Sequence, residues 1–80
     1  MARVRVKFTY PAELVTQPVI YMLATQYRLM TNIRRADVQR DRGWVVLELE
    51  GEDDDLERGL ATVRRMGVRV DPIEGDLFEG

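Results

Sequence analysis

Cysteine and histidine are both missing from this 80-residue chain. Disulfides, zinc or iron–sulfur ligation through those side chains, and Ser–His or Cys–His nucleophiles are thereby excluded. Long apolar runs are missing as well. None approaches the ~20 residues that a membrane-spanning helix needs. The basic N-terminus alternates Arg3, Arg5 and Lys7 with apolar residues and lacks the apolar core of a signal peptide. The expectation is a cytoplasmic protein with no membrane insertion. Nor is there an excess of one charge: 12 Lys and Arg against 14 Asp and Glu leave a net −2, which argues against nucleic acid as a partner. Eighty residues build one domain with a thin core and no deep, enclosed active site.

What is present is a sequence of segments that runs strand, helix, strand, strand, helix, strand. Val4, Val6, Phe8 and Tyr10 alternate with Arg3, Arg5, Lys7 and Thr9, the two-residue period of a half-buried strand. Pro11 ends it. Thr16 or Gln17 is positioned to cap a helix with Pro18 in its first turn, and Val19, Ile20, Leu23, Ala24 and Tyr27 carry helical spacing to about Arg28. Asn32 to Gln39 reads as the second strand. There Ile33 is out of phase with Ala36 and Val38, which predicts a bulge near Arg34–Arg35. Asp41-Arg42-Gly43 reads as a three-residue hairpin turn with Gly43 in the left-handed position. In the third strand, Trp44 to Glu50, residues Val45, Leu47 and Leu49 face inward, and Gly51 closes it. Glu52 to Asp55 suit the N-terminus of a second helix, where carboxylates cap free N–H groups and oppose the helix dipole. Leu56, Leu60, Val63 and Met66 form its apolar stripe, and Gly67 its left-handed stop. Val68, Val70 and Ile73 make a last strand, which Pro72 assigns to a sheet edge. Residues 1–73 are one domain on this reading, and 74–80 a flexible acidic tail.

The two halves repeat one pattern. A shift of forty-one places lays Val4, Val6 and Phe8 over Val45, Leu47 and Leu49. This βαβ pseudo-repeat predicts an α+β fold, the ferredoxin-like βαββαβ sandwich. It has a four-stranded antiparallel sheet of order 4-1-3-2 and both helices on one face. Its core should hold Val4, Val6, Phe8, Ile20, Leu23, Val45, Leu47, Leu49, Leu60 and Val63. The other face is left open. Arg3, Arg5, Lys7 and Arg34 or Arg35 emerge on it beside Glu48 and Glu50, so that Arg–Glu pairs across adjacent strands satisfy much of its charge. Trp44 and Val46 also lie there and are the candidate interface residues, pointing to a homodimer.

Other uses of this topology fail on residues. RNA-recognition modules stack bases on aromatic side chains of the central strands, and the first strand shows none outward. Metal-chaperone versions need a Cys pair. Acylphosphatases cradle phosphate in a glycine-rich loop, whereas Pro11 to Val15 has no glycine and carries Glu13. The run Glu52 to Asp55 lacks the spacing of a calcium loop. Neither a catalytic residue set, a metal site nor a cofactor is predicted, and the chain is not read as an enzyme.

Over roughly residues 3 to 72 the sequence resembles the NIL domain, the C-terminal regulatory module of methionine-import ABC transporter ATPases, also found as short independent proteins. The resemblance rests on Val4-Arg5-Val6-Lys7-Phe8, Pro18-Val19-Ile20, and Asn32-Ile33 with Ala36 and Val38. It continues through Val45-Val46-Leu47-Glu48-Leu49-Glu50-Gly51 and Arg64-Arg65-Met66-Gly67-Val68-Arg69-Val70. Arg34 stands where the family motif has leucine, and the hairpin after the second strand is shorter than usual. The resemblance implies two copies associating through their sheets and a small amino acid, methionine, bound near the contact, with Asn32 and Ile33 as ligand-binding residues. An Asn side chain carries both a donor and an acceptor for a zwitterionic head group. The residues alone equally allow Asn32 to be an Asx turn entering the strand. Met22, Met30 and Met66 could form a thioether-friendly lining, but Met22 and Met66 sit at ordinary core or boundary positions, and all three are read as core. Two functions stay open: a stand-alone amino-acid sensor, or a ligand-free interaction module that docks on a transporter subunit or a sulfur-metabolism enzyme.

Overall fold

A computed structural model describes residues 1–73, so the expectation of a flexible tail at 74–80 lies outside the described residues. The chain forms β1 (Ala2–Tyr10), a 3₁₀ turn (Ala12–Leu14), α1 (Val19–Gln26), β2 (Met30–Val38), β3 (Gly43–Gly51), α2 (Asp53–Met66) and β4 (Arg69–Pro72). The sheet order is β2-β3-β1-β4 and every pairing is antiparallel. Counted from the other edge this is 4-1-3-2, the ferredoxin-like arrangement expected from the pseudo-repeat.

Alternation fixes which side each strand residue serves. Val4, Val6 and Phe8 stand opposite Leu49, Leu47 and Val45, and these inward rows meet α1 through Val19 and Leu23 and α2 through Leu56 and Val63. Phe8, Leu23, Leu47, Leu49 and Val63 have no exposed surface. Each such side chain contributes on the order of 2 kcal/mol by leaving water. Tyr10, Val19, Leu29, Leu56 and Val68 join this core, while Val4, Ile20 and Leu60 are only partly buried against it. Met66, expected in the buried stripe of α2, lies one turn past Val63 at the exposed end of the helix.

Local chemistry explains the ends. α1 starts at Val19 with Pro18 as its N-cap and no side-chain capping bond, so neither Thr16 nor Gln17 caps it and Pro18 is not inside its first turn. The unforeseen 3₁₀ turn is the reason. Leu14 N–H donates to Pro11 O and Gln17 N–H to Leu14 O, so Gln17 is held in the turn ahead of the helix rather than at its cap. Glu52 likewise makes no side-chain cap; Asp54 and Asp55 turn instead to Arg58, at 3.3 and 3.0 Å. The acidic run therefore acts through charge at the helix N-terminus rather than through capping bonds. Gly67 is left-handed as predicted, φ 107°, and its N–H donates to Arg64 O while that of Val68 donates to Val63 O.

Gly43 departs from expectation. It opens β3 with ordinary backbone, and the hairpin is closed by Gln39 N–H donating to Arg42 O at 2.7 Å. A side chain there would be tight, since a Cβ would stand 3.3 Å from Val38 Cα.

Candidate functional site

The face of the sheet away from the helices brings charged and polar side chains from three strands together. Its composition follows from register. Asn32 pairs with Glu48 and Met30 with Glu50 across β2 and β3, and Arg5 and Arg3 continue those two rows on β1. The predicted bulge is present: register shifts between Ile33 and Arg35. Ile33 stands opposite inward Leu47, Arg35 opposite outward Val46, and Ala36 opposite inward Val45. The extra residue lets Ala36 and Val38 regain the helix side. It also places both Arg34 and Arg35 around one outward hollow, where one of the two had been expected.

Charges on this face are largely compensated, as the alternation implied. The Arg5 guanidinium donates a hydrogen bond to Glu48 Oε2, and Arg3 stands 3.9 Å from Glu50. The bond from Arg5 holds the Glu48 carboxyl below its ordinary range against some loss of solvation, with the positive charges of Arg5, Arg34 and Arg3 adding to the effect. Lys7 Nζ lies 5.2 Å from the centroid of the Trp44 ring, a cation–π contact.

Two shallow hollows lie side by side here. One, about 200 Å³, is lined by Arg3, Met30, Asn32, Glu48 and Glu50. The other, about 400 Å³, is lined by Arg5, Arg34, Arg35, Val46 and Ile73. The bonded Arg5–Glu48 pair forms the wall between them. A third hollow of about 310 Å³ lies at the hairpin end and includes Thr9, Asp37, Arg42 and Trp44.

Asn32, Trp44 and Val46 therefore share the open face, while Ile33 belongs to the other. Adjacent strand residues alternate in direction, so Asn32 and Ile33 cannot line one hollow in a single copy of the chain. Trp44 and Val46 are half-buried. Beyond the N-terminal Met1, the large apolar side chains left most exposed are instead Tyr21, Met30, Ile33 and Val38, at 71, 65, 53 and 54%. Ile33 and Val38 are bare because β2 is an edge strand that the eight-residue α1 does not cover. Sequence reasoning placed Arg3 and Glu50 on this face without joining them to Asn32, and it took Met30 for a core residue, whereas Met30 is exposed beside Asn32. Met30 was legible in principle: it precedes Asn32 by one period and belongs to the strand once the strand is begun two residues earlier.

Among the described residues no cluster of acidic, His or Cys side chains could hold a metal ion, and no helix is long and apolar enough to cross a membrane. A family model described as the NIL domain matches residues 4–72. The chain belongs to the NIL domain family. NIL domains are regulatory domains, and the match takes in nearly all of the described residues. No curated protein matches the chain. Among solved structures, the crystal structure of the C-terminal domain of an ABC transporter/ATP-binding protein from Enterococcus faecalis matches with a TM-score of 0.79 at 18% identity, covering 90% of this chain and 84% of that one. At that identity the likeness bears on the fold.

Proposed function

We propose that this NIL domain is a cytoplasmic regulatory module without enzymatic activity that binds a small amino acid, methionine by family resemblance, on the open sheet face at Asn32. The observation that carries the reading is the company Asn32 keeps. Its hollow offers the Glu48 and Glu50 carboxylates to an ammonium group, Arg3 to a carboxylate, and the Met30 thioether to an apolar side chain. These are the three groups that an apolar amino acid presents. A hollow of about 200 Å³ is smaller than the ~300 Å³ and upward of typical enclosed ligand sites. A second copy seated against β2 would complete it, and would bring its own Ile33 and Met30 toward the ligand. Binding then acts by linkage: ligand held between two copies stabilises the dimer, and a partner such as a transporter subunit reads that change.

Calorimetric titration of the chain with methionine and other amino acids, with thermal melting alongside, tests the proposal. Heat release and a raised Tm are expected for a bound ligand, and both should vanish in Asn32→Ala while that variant keeps the native melting cooperativity. Silence across the panel would leave the second reading. In that reading the domain is a ligand-free module for docking on a transporter or sulfur-metabolism enzyme, which exposed Ile33 and Val38 and the compensated open face would serve.

A further inference from the structure

The larger hollow has a chemistry of its own. In a regular strand Arg34 and Arg35 would point to opposite faces. The β2 bulge turns both outward, and they converge with Arg5 around a floor of Val46 and Ile73 in a hollow of about 400 Å³. Among the described residues no carboxylate lines this hollow. Glu48, the nearest acid by register, already accepts from Arg5 on the far wall, and among the described residues Arg34 and Arg35 make no hydrogen bond or ion pair. Asp37 sits one row away along β2, and Asp71 ends the row of Arg35 and Val46, beyond Lys7, where Arg69 holds it at 3.0 Å. Two guanidinium forks thus share one opening with an apolar floor beneath. A bulge next to a functional site commonly re-aims a side chain in this way, and planar guanidinium groups match the paired oxygens of carboxylates and phosphates.

We infer that Arg34 and Arg35 form an oxyanion-binding site on the open face, separate from the Asn32 hollow and taking a carboxylate or phosphate group whose apolar portion rests on Val46 and Ile73. The site does not depend on amino-acid binding at Asn32, since the two hollows share only the Arg5–Glu48 wall. Occupancy is exposed to solvent, so it weakens as salt rises.

The test is a backbone-amide NMR titration of the full chain with succinate, inorganic phosphate and chloride in turn, at matched ionic strength. Saturable shifts confined to Arg34, Arg35, Val46 and Ile73 are expected with succinate or phosphate and not with chloride. The stronger responder tells whether the natural ligand bears a carboxylate or a phosphate. Arg35→Gln and Arg34→Gln should each weaken binding by roughly tenfold, without moving the melting temperature, whereas Arg42→Gln on the hairpin should leave it unchanged. Non-saturating shifts spread over all basic residues, or affinity unchanged in both Arg34 and Arg35 variants, would overturn the assignment. Retained titration of succinate or phosphate in Asn32→Ala separates this site from the amino-acid proposal. Anion binding lost in that variant alone would place the anion in the Asn32 hollow and sink the Arg34–Arg35 site.

Discussion

Tyr10 shows how far one residue's position decides its behaviour. As the last inward residue of β1 it packs edge-on against Phe8, ring centroids 6.4 Å apart, and burial pushes its phenol up to about 12. The phenol of an unfolded chain ionises near ~10. Between those values the unfolded chain sheds the proton first, so stability present below pH ~10 drains away as pH rises and is lost above about 12. Urea unfolding followed across that window should show a steeper alkaline decline in the natural chain than in Tyr10→Phe, which keeps the ring and removes the ionisable group. An equal decline in both would show that the Tyr10 phenol is not held protonated by the fold. That Tyr10 faces inward was plain from its period. Its weight was not, because exposure at the end of a strand depends on what the following loop covers. Asn32 and Ile33 teach the same lesson from the other side. Their order in the sequence suggested one site, and strand alternation separates them by the thickness of the sheet.

At the level of elements, the chain was legible where a pattern ran long and obscure where neighbours competed for the same backbone. β1, β3 and α2 follow their periods nearly to the residue. The bulge in β2 was legible from the phase of Ile33 against Ala36 and Val38, but which side gained a residue became visible only in the pairing with β3. α1 ends at Gln26, short of its expected end near Arg28, because Arg28 takes a left-handed φ of 54° and Leu29 N–H closes back on Leu23 O. The stop of α2 was legible because a left-handed residue has a steric cause. Gly67 has φ 107°, and a Cβ there would also press to 3.3 Å from Leu14 Cδ1. Gly67→Ala should therefore lower stability by about 1–2 kcal/mol. Chemical denaturation is the measurement, with an unchanged slope against denaturant expected because the fold persists. A variant as stable as the natural chain would mean that α2 ends without using the left-handed turn.

Taken whole, the molecule is a sheet covered on one side, and its surface is uneven in what it leaves open. The centre of the open face is charged and mostly self-paired. Trp44 there is partly occupied by Lys7, and Val46 lies between guanidinium groups. Apart from Tyr21 on α1 and the N-terminal Met1, the barest apolar side chains lie on the β2 edge instead, with Ile33 and Val38 on the helix side and Met30 on the open side. The bulge divides that edge into two short runs, so a long strand-to-strand ladder with another chain is disfavoured. Apolar contact is the stronger drive, and a second copy of this chain presents the same patch for a two-fold, self-complementary contact. Such a contact would also set two Asn32 hollows near one another, which the small volume of each requires. The expected outcome is a dimer by light scattering at micromolar concentration. Val38→Lys should shift it toward monomer, because a charge would be placed against its own symmetry mate. If Trp44→Ala dissociates the dimer and Val38→Lys does not, the contact lies on the centre of the sheet as the sequence suggested. A monomer at every concentration, with or without methionine, would remove the dimer and the shared ligand site together.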